Sequence, residues 1–205
     1  MKHHKHHFSH LPHNRHVHTE HKETTLRQQF ILFHMKDVTV RTGDVEAPRE
    51  SRALPVVLIL DRLRSAYNVG NVFRVAEAAR VAEIAACGYT ACPPHEKLEK
   101  TARGCDKLVP CRHFETAADA VAEYRSRGYA IYGVETVEGA QWYWNAEIRF
   151  PCALILGNEA LGVSEEALSL CDGFISLPAF GCKNSINVGN CAAVVVYECL
   201  KRTMV

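Results

Sequence analysis

From Ala53 onward the chain alternates short apolar runs with amphipathic segments, and this alternation limits the possible folds more than any other feature. Val56, Val57, Leu58, Ile59 and Leu60 form an unbroken, largely β-branched run that stops at Asp61, the pattern of a strand buried on both faces. Further strands are predicted at 83–87, 107–109, 130–134, 153–156 and 174–177. Helices are predicted at 72–81, where Val72, Val75, Ala76 and Ala79 recur at helical spacing, and at 117–127, 164–170 and 187–200. Strand and helix in turn predict an α/β fold, a mostly parallel sheet with helices on both faces. Ligands of such sheets bind beyond the carboxyl ends of the strands, so the loops leaving those ends are where chemistry is expected.

With 205 residues, 47% of them hydrophobic, the chain has material for one core. The expected division is a leader and linker over 1–52 and a single domain over 53–205. Nine of the twelve histidines crowd into residues 1–25 with little apolar to bury, so this tract is expected to be disordered. It reads either as a solvated leader or purification remnant, or as a Zn2+- or Ni2+-binding tract; its irregular spacing fixes no coordination geometry, and no metal site is assigned. Phe30, Ile31, Leu32 and Phe33 are candidates to dock on the core. A formal net charge of +1 provides no global field to draw in nucleic acid, so any such contact has to come from a local patch. The nine cysteines include no C-x2-C pair, and Cys152, Cys191 and Cys199 lie in apolar segments where a free thiol acts as a small hydrophobe; a reduced, cytoplasmic setting is expected. No apolar run reaches the roughly 18 residues that would span a bilayer.

Three loops at strand ends carry unusual residue types. In L-D-R-L-R-S-A-Y-N-V-G-N-V-F-R, residues 60–74, Gly70 is expected to permit a tight turn, Asn68 to bond its own backbone or a ligand, and Arg74 to fall about one turn into the following helix. An arginine there reaches a phosphate bidentately or pairs with a surface carboxylate. In I-L-G-N-E-A-L-G-V-S, residues 155–164, a strand runs into Gly157, whose bare backbone is expected to admit a flat ligand; Asn158 and Glu159 follow, and Ser164 reads as a helix N-cap. The third, residues 177–198, bends at Pro178 and Gly181 and sets Ser185 and Asn187 where the last helix begins, as caps or as site residues. That helix is apolar on nearly every side from Val188 to Val196 and is expected to be buried.

Taken in order, the loops resemble the three motifs of the SpoU (TrmH-like) branch of the SPOUT RNA methyltransferases. N-x-G-x-x-x-R is matched by Asn68, Gly70 and Arg74, G-N-E-x-x-G by Gly157, Asn158, Glu159 and Gly162, and S-x-N-V by Ser185, Asn187 and Val188; the likeness covers about residues 54–200. Two positions depart from the common pattern, Val69 and Ile186, and both preserve shape. The resemblance implies a C-terminal trefoil knot, a homodimer, and S-adenosylmethionine held mainly by backbone groups of the loops carrying Glu135, Thr136, Gly157, Asn158, Leu177, Ser185, Ile186 and Asn187. The Gly-rich dinucleotide fingerprint is absent, in keeping with such a mode. The implied reaction is methyl transfer to a ribose 2'-hydroxyl of structured RNA, in tRNA ahead of rRNA. Arg74 would meet RNA and the reacting oxygen, next to the cofactor of the partner subunit, with Asn68, Glu159, Ser185 and Asn187 orienting it and the ribose.

RNA contact is expected along residues 95–112, which concentrate Lys97, Lys100, Arg103, Lys107 and Arg112 and include a Lys-Thr-Ala-x-Gly element like that of family members. Lys183 is a further candidate. Glu96, Glu99 and Asp106 among them also fit an ordinary solvated helix. Two other classes compete: a non-catalytic RNA-binding relative, which would not need Arg74, Glu159 and Asn187 together, and a metal-handling protein, which the scattered cysteines do not favour.

Overall fold

The computed structural model describes residues 53–183 and 185–204; the leader, the expected docking of residues 30–33 and the boundary at 52 lie outside them. In chain order the elements are β1 (Leu54–Asp61), α1 (Ala66–Ala78), β2 (Val81–Cys87), α2 (Glu96–Ala102), a 3-10 turn (Cys105–Lys107), β3 (Cys111–Phe114), α3 (Ala117–Ser126), β4 (Ala130–Val134), β5 (Gln141–Trp142), β6 (Cys152–Leu156), α4 (Glu165–Ser169), β7 (Gly173–Ser176) and α5 (Val188–Met204). The strands form one seven-stranded sheet in the order β3-β2-β1-β6-β4-β7-β5. Every pairing is parallel.

β1 shows why the opening run is continuous. Val56, Leu58 and Leu60 pack on one face with α1, α2 and α5, through Val72, Phe73, Leu98 and Val195; Val57 and Ile59 pack on the other with α3 and α4, through Val121, Tyr124 and Ala167. Each neighbour along the strand needs an apolar side chain because each enters a different core. The first three strands step outward from β1, whereas β6, β4 and β7 lie on its other side, so the chain reverses direction across the sheet between β1 and β6. A crevice beyond the strand ends is expected beside such a switch point.

Three local expectations change. Residues 107–109 are no strand: the left-handed Arg103 and Gly104 end α2, the amides of Leu108 and Val109 both donate to the Cys105 carbonyl, and Pro110 delays extended structure until Cys111. α1 starts at Ala66 instead of 72, because Ser65 accepts the Asn68 amide as N-cap; two asparagines and a glycine, all weak helix formers, disguise its first turns. α5 is buried only through Gly189, Ala192, Val195, Val196 and Cys199, while Val194 and Tyr197 remain exposed on its outer stripe.

Two glycines act through space. Gly70 makes no turn; it lies inside α1, where a Cβ would come within 2.3 Å of Thr101 Oγ1 on α2. The Thr101 hydroxyl donates to the Ala66 carbonyl at 2.9 Å, so the Lys-Thr-Ala-x-Gly element clamps the first motif. Among the described residues no helix is long and apolar enough to cross a membrane.

Candidate active site

Beyond the carboxyl ends of β4, β6 and β7 opens a cavity of about 510 Å3, lined by residues 134–136, 156–160, 162, 176–177, 185–188 and 191. Each cofactor residue expected from the sequence, Glu135, Thr136, Gly157, Asn158, Leu177, Ser185, Ile186 and Asn187, lines it. Its size falls in the roughly 300–1,000 Å3 range of small-molecule sites. Its described lining has two carboxylates, Glu135 and Glu159, and no lysine or arginine.

The three motifs meet at its rim. Asn68, buried on α1, donates through Nδ2 to Glu159 Oε1 at 2.8 Å and accepts through Oδ1 from Asn187 Nδ2 at 3.1 Å. Asn187 Oδ1 in turn accepts the Gly189 amide at 3.0 Å, capping α5. Glu159 also takes the amides of Arg64 (3.0 Å) and Ser65 (3.2 Å). Burial works against its charge, but these donors, Asn68 first, outweigh it and hold the Glu159 carboxyl below the usual carboxylate range. It is a fixed anion.

Asn158 is saturated. Its Nδ2 donates to the Arg62 carbonyl (2.6 Å) and the Tyr89 hydroxyl (2.9 Å), and its Oδ1 accepts the amides of Ala160 (2.8 Å) and Leu161 (3.0 Å). Those four bonds exhaust a side-chain amide, and its backbone N–H and carbonyl both pair with Gly162, so Asn158 builds the loop. Gly157 has a role the sequence did not show: an added Cβ would stand 2.2 Å from the Val163 amide nitrogen and 2.3 Å from the Gly162 carbonyl carbon. The bare backbone lets the loop close on itself, across the Asn158–Gly162 bridge, before any ligand arrives.

Glu135 ties β4 to the same loop, accepting the Val163 amide at 3.1 Å through Oε2. Desolvation, with Glu135 nearby, pushes the Cys191 thiol up to about 11, so the cavity's cysteine is a neutral wall and no nucleophile. Ser185 and Lys183 are exposed on the approach to α5. Arg74 does not line the cavity. It is exposed beyond the second turn of α1 and near Cys105, whose thiol is raised by burial and Glu77 while the Arg74 guanidinium opposes the rise.

The basic candidates scatter. Lys97, Lys100, Arg103 and Lys107 are exposed on or just after α2, with Lys100 paired to Glu96. Arg112 belongs elsewhere: it bonds Glu83 and Glu123 and lies over the rings of Phe114 and Tyr124. Sequence reasoning missed Asp61, which is buried and accepts the Ser164 amide at 2.7 Å, and Thr90, whose hydroxyl joins the Leu60 carbonyl to the Leu63 amide. A carboxylate ending a buried strand was the available signal for Asp61; nothing local marked Thr90.

Residues 55–197 match the model of the SpoU rRNA Methylase family. The chain belongs to this family. A relative of this SpoU-family chain is the tRNA (guanosine(18)-2'-O)-methyltransferase of Thermus thermophilus, 29% identical over 164 residues that make up 80% of this chain and 84% of that one. Among solved structures, the A. aeolicus TrmH/SpoU tRNA modifying enzyme superposes with a TM-score of 0.68 at 21% identity, covering 75% of this chain and 77% of that one. The SpoU methyltransferase AviRb of Streptomyces viridochromogenes, in complex with the cofactor AdoMet, gives 0.66 at 24% identity over 76% of this chain, which spans 63% of AviRb. The SpoU fold is thus shared well beyond recognisable identity.

Proposed function

We propose that this SpoU-family chain is an RNA methyltransferase that moves the methyl of S-adenosylmethionine to a ribose 2'-hydroxyl, with tRNA as the substrate class. The observation that carries the reading is the Glu159–Asn68–Asn187 chain of hydrogen bonds, which joins all three motifs at the rim of a cavity holding carboxylates and no described cation. Such a lining suits a cationic sulfonium and disfavours a phosphate-bearing dinucleotide. When bound, the cofactor supplies an electrophilic methyl and needs only an aligned oxygen. Backbone groups at 157, 177 and 185–187 would hold it, with the remaining lone pairs of Glu135, whose oxygens already take the Thr136 and Val163 amides, open to it. Arg74 would clamp the RNA phosphate and stabilise the ribose oxygen as charge develops, its guanidinium staying protonated, while the proton leaves to water or a neighbouring group.

Arg74 stands outside its own chain's cavity, which supports a homodimer in which the partner subunit's Arg74 completes each site. The exposed Val194 and Tyr197 of α5 supply an apolar contact for that dimer. The knot of the C-terminal segment, a cytoplasmic location, and the division into a leader over 1–52 and a catalytic domain over 53–205 belong to the same reading. Labelled S-adenosylmethionine incubated with the full chain and tRNA from cells lacking it should yield 2'-O-methylated nucleosides on digestion. Cofactor binding without methyl in either tRNA or rRNA would favour the non-catalytic RNA-binding alternative.

A further inference from the structure

Beside the cofactor cavity, across the wall made by Glu159, lies a second hollow of about 440 Å3 bounded by Arg64, Tyr67, Tyr89, His95, Lys97 and Thr101. We propose that it seats a nucleobase lifted out of the RNA stack, between the rings of Tyr67 and Tyr89, with Arg64 and Lys97 meeting the adjoining phosphates. The inference rests on the RNA methyltransferase reading and says where the substrate nucleotide sits.

Four observations converge on it. Tyr67 and Tyr89 are 64% and 58% exposed, so two large rings face water at the mouth of one hollow. Tyr89 is pre-set, because its hydroxyl accepts the bond from Asn158 Nδ2 that also knits the cofactor loop, leaving the ring face free. Arg64 and Lys97 are exposed and form no ion pair among the described residues, so their charge is available. His95 Nδ1 accepts the Leu98 amide, which leaves a neutral ring's proton on Nε2 as a donor to a base edge or phosphate. Thr101 is spent on the Ala66 carbonyl and serves as wall.

The chemistry selects a nucleobase. Aromatic faces flanked by cations hold unstacked bases irrespective of sequence, since every base has a π-face. Proteins that single out one nucleotide of a folded RNA take it from loops and bulges, whose unstacked bases splay out onto aromatic side chains and arginine planes. The hollow adjoins the cofactor cavity because the Arg64 and Ser65 amides bond the Glu159 carboxylate from its side, while Glu159 lines the other. A base seated here puts its ribose near that shared wall.

The test uses the full chain with tRNA from cells lacking it, and the same RNA carrying 5-iodouridine for photocrosslinking. Tyr67→Ala should raise KM for RNA about tenfold or more, the scale of losing one stacked base, while calorimetry gives an unchanged S-adenosylmethionine Kd. Tyr67→Phe and Tyr67→Trp, which keep a ring, should stay near wild type, and crosslinks should map to Tyr67 or Tyr89. Unaltered KM in Tyr67→Ala, or a Tyr67→Phe as impaired as Tyr67→Ala, would overturn the stacking site and leave the methyltransferase reading standing. Wild-type protein that crosslinks at these tyrosines yet methylates no RNA would do the opposite.

Discussion

At the scale of single residues the site is a set of oriented amides around one fixed carboxylate. Asn68 is the only described side chain bonded to both of the other motifs, so a change of one atom there tests the arrangement. Asn68→Asp replaces the donor to Glu159 with a second carboxylate, which removes a bond and adds like-charge repulsion. Methyl transfer should fall about 100-fold, the scale of misplacing a catalytic group by an ångström. The pH dependence has a definite sign. In the wild type the Glu159 carboxyl lies below its ordinary value, so its contribution is present above that ordinary value and is lost as pH falls through the lowered one; the Tm contribution should be flat from about pH 7.5 to 5. In the variant the carboxyl pair favours a shared proton, so the Tm deficit should be largest near pH 7.5 and shrink toward about pH 5. A deficit that is the same at both pH values would mean the two groups do not interact. Residue identity at Asn68, Glu159 and Asn187 was readable as chemistry. The saturation of Asn158 and the loop-closing role of Gly157 were not, since each depends on atoms that only folding brings within reach.

At the scale of elements the decisive contact is α1 against α2. Gly70 and Thr101 approach so closely that the two helices share a surface with no room for a methyl, and the contact sets Asn68 on α1 and Lys97 on α2 relative to one another. Gly70→Ala should cost about 1–3 kcal/mol, the usual penalty for overpacking, despite the better helix propensity of alanine. Thermal unfolding measures it directly; a Tm that rises would show that α2 moves aside freely. The strands were legible here because period and length identify a run such as Val56–Leu60 or Ala130–Val134 without knowledge of its neighbours. The start of α1 was not, because Asn68, Gly70 and Asn71 were selected by tertiary contacts that override local preference. The 3-10 turn at Cys105–Lys107 misled for the converse reason: Leu108 is apolar but 68% exposed.

At the scale of the whole molecule, the proposed composite site requires assembly to bring Arg74 to the partner subunit's cavity. Val195 is packed inside its own domain, so an aspartate there would damage the monomer; the exposed Tyr197 is the better probe of assembly. Tyr197→Asp should shift sedimentation from dimer to monomer with little change in far-UV circular dichroism. Arg74→Ala should then keep cofactor affinity while losing transfer, whereas Ile186→Trp, which fills the cavity from an exposed loop position, should lose cofactor binding. Equal mixing of these two chains should restore roughly a quarter of wild-type activity, as about half the dimers would carry one intact composite site. Mixed, exchanging subunits that stay at background would place Arg74 and the cofactor in the same chain.

The fold class, the number of motifs and the residue types at the site could be read from the chain alone, because periodicity, strand length and the chemistry of side chains are local properties. Three facts needed the folded molecule: Asn68 bridges Glu159 and Asn187, Gly70 is a contact and no turn, and two tyrosines border a hollow next to the cavity at the ends of β4, β6 and β7. Those facts join residues up to 119 positions apart in the chain, and a distance of about 3 Å between such residues is set by the packing of the sheet and not by any segment alone.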